Sequence, residues 1–377
     1  MAHNILYNIY RSTKPTFSGA LAELVAAAKS TELVPLRWVF YGKPHSNKEY
    51  GEQREEIIKN CTGEFTPLIS YVAQHPTQLT LALEVQMVGR DFAKTLQYKE
   101  LGGVRYVVSN SSSSKQLFTE GIVADFLSDS IRKQSVDVLA KLEAILEQEK
   151  MPIDSIIRQW NYIEQITAMS GDTQHYQDFN DARSHFYAKT EWRGGYPAAT
   201  GIGTDVGGVM VEIDAEVLKK SPAKIVPIDN PLQVAAHKYS QGVLIGAPDE
   251  VFKQRTTPKF ERAKAVAIYD CAKVYISGTA AIRGEESLTG VGIERQTVIT
   301  LENIEYLISK KNFANHGITV RNEPQIQVFR VYLKCDGDME AARRIIEERY
   351  PHLPAIYVVT DVCRDELLIE IEGVAQC

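Results

Sequence analysis

An internal repeat constrains this chain more than any other feature. Near residue 105 the sequence reads as a strand (VRYVVS), a polar loop, and the amphipathic helix IRKQSVDVLAKLEAILEQ. There follow a strand around IIRQWNYIEQI, a helix around QDFNDARSHFYAK, the Pro-led strand PAATGIGT and the strand VMVEIDAEV. From residue 273 the order recurs as KVYISGTAAI, RQTVITLENIEYLISK, IQVFRVYLK, MEAARRIIEERY, LPAIYVVTDV and LLIEIEGVA. Ser109 aligns with Ser277, Gln134 with Gln296 and Glu212 with Glu370, in register apart from a few loop residues. Shared landmarks in shared order mark a duplicated unit. The Pro-bearing stretch SPAKIVPIDNPLQ, residues 221–233, is the expected boundary between a domain 1–225 and a domain 226–377.

Within the first domain, residues 1–100 read as an α/β extension and 101–225 as the first copy. The extension shows a helix over Phe17–Lys29, a longer helix over Glu52–Ala73, and buried strands at LVPLRWVFYG and QLTLALEVQMV. No catalytic signature stands out there.

Composition narrows the function. The chain has 377 residues, a net charge of −6 and 44% hydrophobic residues, so a basic nucleic-acid-binding face is not expected. No apolar run has the length of a membrane span, and MAHNILYNIY lacks a signal-peptide pattern. Five scattered cysteines form no C-x-x-C, and the eight histidines no H-E-x-x-H. A cytoplasmic protein with no metal site, no nucleic acid and no membrane partner is the expectation.

SGTAAI (Ser277–Ile282), Gly284-Glu285, Gln296-Thr297, Leu301, Asn303, Ile304 and the terminal Leu368–Ala375 resemble the reactive-intermediate deaminase family, also called YjgF or L-PSP. The resemblance implies an α/β fold of two tandem YjgF-like (chorismate-mutase-like) sandwich units, the first with the N-terminal extension. Such units trimerise with clefts between them, so a monomer and a homotrimer both remain open. Simple members hold a substrate carboxylate with the arginine of P-A-R-T. Here the matching stretches are PAAT (Pro197–Thr200) and PAIY (Pro354–Tyr357), without that arginine. The length, the duplication and the cysteine seven residues before Glu370 are similar to the chorismatase group, two-domain enzymes that release pyruvate from chorismate. That implies chorismate as the small-molecule substrate, no cofactor, and 3-hydroxybenzoate or a dihydroxycyclohexadiene carboxylate as the second product. An enamine or imine deaminase and a non-catalytic binding protein are the alternatives.

Glu370 alternates along its strand with Ile369 and Ile371. It is either a residue of a solvated strand face or a general acid with a raised pKa that protonates the enolpyruvyl methylene carbon. Cys363 is either a small buried hydrophobe or a pocket residue that influences the product. A substrate with two carboxylates calls for guanidinium groups. Arg183, one turn beyond Asn180, and Arg343, in AARRIIEERY, are the first candidates; Arg193 in WRGGYP and Arg330 in VFRVYLK are the others.

Overall fold

The computed structural model describes residues 5–63, 66–220 and 222–377; Ser221, the first residue of the expected boundary, lies outside them. Three sheets, each covered by two helices, account for most of the chain. The first contains β1 (Leu6–Ser12), α1 (Phe17–Lys29), β2 (Val34–Tyr41), α2 (Asn47–Asn60), β3 (Leu68–Val72) and β4 (Leu81–Val88). A hairpin of β5 (Leu96–Leu101) and β6 (Val104–Asn110) leads into the second: β7 (Ser114–Thr119), α3 (Ile131–Gln148), β8 (Ile156–Glu164), α4 (His175–Tyr187), β9 (Ala198–Thr204) and β10 (Val209–Leu218). The third opens with β11 (Lys224–Ile228) and β12 (Ala263–Ile268). It continues through β13 (Cys271–Ala280), α5 (Gly292–Leu307), β14 (Gln325–Leu333), α6 (Met339–Arg349), β15 (Ala355–Val359) and β16 (Ile369–Gln376).

The strand orders β1-β4-β2-β3, β7-β10-β8-β9 and β13-β16-β14-β15 are the same order written three times. In each, the last strand is antiparallel to the first and second, and the second and third are parallel. The two tandem α/β units are therefore present, and the N-terminal extension has the connectivity of a third. Two sequence expectations change. The helix expected over Glu52–Ala73 ends at Asn60, capped by Cys61, and the apolar residues after Pro67 pair as β3 beside β2. Ser109 is not the counterpart of Ser277: it lies on β6, and the serines after it form a hairpin turn rather than a crossover into a helix. The strand that feeds α3 is β7, so β6 corresponds to β12.

Local signals explain the helix starts. Thr16, Ser46 and Ser130 each accept a hydrogen bond from the backbone N–H three residues on, at the heads of α1, α2 and α3. Gln134 and Gln296 do the same job in two units. Each donates to two loop carbonyls and accepts from the N–H that opens the closing strand, Val209 or Leu368.

One face of each sheet packs on its helices; the opposite faces meet in a central core containing Val39, Trp160, Tyr162, Tyr275, Tyr332 and Val358. This explains why β2 and β4 read as nearly continuous apolar runs. At the centre, Arg37, Arg158 and Arg330 occupy equivalent registers, opposite Gln86, Asp214 and Glu372. Their guanidinium carbons lie 5.3, 4.6 and 5.1 Å from the Trp160 ring centroid. Each is paired across a sheet boundary: Arg37 with Asp214, Arg158 with Glu372, Arg330 with Glu84. The pairs close a ring through the three units.

Candidate active site

The boundary between the second and third units opens into a cleft of about 760 Å³, mouth included. One wall is α4 and β9, with Tyr176, Gln177, Asn180 and Thr200; the other is β13 and β16, with Gly278, Ala280 and Glu370. The long connection between β11 and β12 covers it with Tyr239, Leu244, Phe260 and Arg262, and the loop before β16 adds Cys363 and Arg364.

Glu370 and Glu372 project from the face of β16 that turns away from the helices, while Ile369 and Ile371 enter the helix-side core. That face is not solvated: Glu370 is 5% exposed and Glu372 2%. Glu372 receives hydrogen bonds from Trp160 Nε1 (2.9 Å), Tyr332 (3.0 Å) and Arg330 (3.2 Å), and from Arg158 and Thr200. Among the described residues no hydrogen bond reaches the Glu370 carboxyl. Burial, reinforced by the charge of Glu372, pushes its pKa up to about 8, against the opposing pull of Arg262 and Arg158. It is an acid that keeps its proton at neutral pH. Gly278 makes room for it, because a Cβ there would stand 2.0 Å from Glu370 Oε1.

Cys363 shares the cleft, and burial together with Glu370 pushes its thiol up to about 12. It is a neutral thiol in this pocket, not a thiolate nucleophile. Tyr176 lies against Gly201, within electrostatic reach of Cys363, Arg183 and Glu370.

The expected arginines separate. Arg183 is buried on α4, donates to Asn180 Oδ1 at 2.6 Å and leaves its Nε without a partner. No carboxylate pairs with it among the described residues. Arg343 does not reach this cleft: it is half-exposed on α6, paired with Glu347 at 2.7 Å, and close enough to Arg11 to perturb it. The ring gives the reason. The α4 helix borders the unit that follows it, which carries Glu370, whereas α6 borders the first unit. Arg193 is exposed beside Glu191, and Arg330 is committed to Glu84 and Glu372 in the hub.

Sequence reasoning missed Arg262 and Arg364. Arg262 is buried, donates to Val234 O and Tyr239 Oη at 2.6 and 2.7 Å, and leaves its buried Nε unpartnered. Arg364 lies over the Tyr239 ring at 5.1 Å and donates to Glu285 O. Arg364 directly follows Cys363, a signal that was available; Arg262 precedes β12 in no motif. The cleft thus combines one neutral carboxylic acid with guanidinium groups and aromatic side walls, a combination suited to a protonatable ring-bearing anion.

Comparison with known proteins agrees with that chemistry. Residues 94–215 match the family model described as Chorismatase FkbO/Hyg5-like, N-terminal. A 3-hydroxybenzoate synthase from Streptomyces hygroscopicus is 33% identical over 230 residues, 60% of this chain and 65% of that protein. A chorismatase from Streptomyces rapamycinicus is 31% identical over 224 residues, 58% of this chain and 64% of that one. The aligned region therefore spans a little under two thirds of these relatives. A chorismatase crystal structure matches the fold with a TM-score of 0.71 at 19% identity, covering 99% of both chains. The chain is thus similar in sequence to the chorismatase FkbO/Hyg5-like family over residues 94–215 and to named chorismatases over a longer stretch, and it shares the fold of a chorismatase along nearly its whole length.

Proposed function

We propose that the cleft binds chorismate and releases pyruvate from it, with 3-hydroxybenzoate as the second product. The observation that carries this reading is the buried, unpartnered Glu370 carboxyl, which retains its proton at neutral pH. Arg183 and Arg262, each with a free buried Nε, are the groups we assign to the two substrate carboxylates.

Glu370 donates its proton to the enolpyruvyl methylene carbon, which leaves an oxocarbenium ion at the ether carbon. The neighbouring ring hydroxyl attacks that carbon and closes a cyclic ketal, its O–H proton passing to solvent, from which the product phenol oxygen later recovers one. Loss of the ring proton to the Glu370 carboxylate, with cleavage of that hydroxyl's own C–O bond, makes the ring aromatic. The remaining hemiketal collapses to pyruvate and 3-hydroxybenzoate, which together hold all the atoms of the substrate. Capture by water instead would release pyruvate and the non-aromatic diol. Cys363, a neutral thiol on the wall, occupies space that water would otherwise take and so favours internal capture.

The test is to incubate the purified protein with chorismate, follow pyruvate with lactate dehydrogenase, and identify the ring product by chromatography and mass spectrometry. Absence of pyruvate would overturn the reading. Pyruvate with the diol would retain the acid and overturn the product assignment.

A further inference from the structure

The segment Thr256–Arg262 is a wall between two cavities. Pro258, Phe260 and Arg262 face the cleft described above, while Thr257, Lys259 and Glu261 face a second cavity of about 1200 Å³, mouth included. The alternation is that of an extended chain, whose successive side chains point to opposite sides. On its other side the second cavity is bounded by the C-terminal half of α4 and the turn after it.

That side is aromatic. Tyr187 and Trp192 lie 4.3 Å apart between ring centroids, and Trp192 and Tyr196 5.3 Å. Tyr187 and Tyr196 are nearly parallel at 5.9 Å, and His237 follows at 5.4 Å from Tyr196. Two polar groups on this wall lack partners among the described residues: the buried Ser184 Oγ and His237 Nδ1, which stands 4.0 Å from Glu261 Oε2. Buried polar atoms normally find a hydrogen bond, so unpaired ones at a cavity wall point to a missing ligand. Lys259 Nζ sits 5.9 Å from the Tyr196 ring and bonds only to Thr257 Oγ1, with no carboxylate within ion-pair distance among the described residues. Burial, and after it the nearby Arg183 charge, lowers its pKa. Two cations without carboxylate partners therefore approach one another beside a set of ring faces. Two acids line the cavity: Glu261 is occupied by the Tyr196 N–H at 2.9 Å, and the exposed Glu191 is paired with Arg193 at 3.3 Å.

We infer that this second cavity is a binding subsite for a monocyclic aromatic carboxylate, with the ring against Trp192 and Tyr196, the carboxylate at Lys259, and a ring hydroxyl at Ser184 or His237. It deepens the proposed function and rests on it in one respect: the ring product of the cleft belongs to this chemical class and is formed one wall away.

The probe is 3-hydroxybenzoate, titrated into the full chain by calorimetry and by tryptophan fluorescence. Two of the three tryptophans, Trp38 and Trp160, are buried in the core, so a change in emission reports on Trp192. The expected result is two equivalents bound per chain, with quenching. Lys259→Met should weaken one equivalent at least tenfold, and Trp192→Phe should abolish the quenching while the fold persists by circular dichroism. Glu370→Gln should leave that equivalent in place. A single equivalent in the native chain, or quenching unchanged in Lys259→Met, would overturn the subsite. Chorismate turnover is scored separately, so failure of the proposed reaction and failure of the subsite give different results.

Discussion

Glu370 and Glu372 lie two residues apart on one strand and face the same way, yet the second collects two guanidinium groups and the first collects none. Their separation in role comes from neighbours alone. Arg158 and Arg330 lie beneath Glu372, whereas Glu370 looks across Gly278 into the cleft. A pair of carboxyls driven apart in this way is a recurring source of an acid that works at neutral pH.

The first prediction follows from that contrast. Only the protonated form of Glu370 can donate, so kcat should fall as pH rises through about 8. Glu370→Gln should lower pyruvate release by roughly 10²- to 10⁴-fold. Linkage has a definite sign. The folded pKa lies above the ordinary carboxyl value of 4.5, so the stabilising contribution is complete below about 4.5 and is lost as pH rises through about 8. Thermal melts of Glu370→Gln and the native chain should therefore shift in the variant's favour between pH 5 and about 8; parallel curves would contradict the shift.

Cys363 should behave as a neutral wall residue. Cys363→Ala should retain pyruvate release within about tenfold, a much smaller loss than removal of a covalent nucleophile would cause. The ring product should shift toward the diol. Iodoacetamide at neutral pH should leave Cys363 largely unlabelled, measured by peptide mass spectrometry, because burial holds its thiol near 12.

The arginines make a paired prediction. Arg183→Ala and Arg262→Ala should each raise KM for chorismate by tenfold or more, a loss typical of a charge-assisted hydrogen bond. Arg343→Ala, on the outer face of α6, should leave both kcat and KM within about twofold. Steady-state kinetics on the three variants checks all of this.

Arg330→Leu addresses the hub. It strips Glu84 of a bidentate partner at 2.6 and 2.8 Å and Glu372 of one of its donors, all deep in the core. Removing one member of a buried ion pair typically costs about 3–5 kcal/mol. Urea unfolding should show a loss of that order; a change below about 1 kcal/mol would mean the hub relaxes around the gap.

The legible parts of this chain were those governed by local periodicity. The amphipathic helices α1 and α3 are bounded as their patterns indicate, and Gln134 and Gln296 hold equivalent places because the same capping task recurs. Glu370 could be singled out because alternation along β16 put it opposite two isoleucines. Whether its face met water or a neighbouring sheet depended on tertiary packing that no local pattern records. Arg343 went astray for a related reason. Aligning two helices shows which residues correspond, but not that each helix borders a different neighbour. The third unit was hidden because its core mostly reuses the architecture with other residues: Ser70 sits at the register of Thr200 and Val358, and isolated matches such as Arg37 with Arg158 and Glu84 with Glu212 form no contiguous motif.

The ring of Arg37, Arg158 and Arg330 has a consequence for how such a protein can change. In an assembly of three identical chains, every substitution appears in every cleft, and a residue unsuitable in one is carried by all. A single chain that runs through all three positions is free of that rule. Glu370 stands at the open cleft, its counterpart Glu84 is bound to Arg330, and Glu212 is wholly enclosed beside Arg37. Three equivalent positions are separately editable here, so chemistry can specialise at one boundary while the other two serve as scaffold.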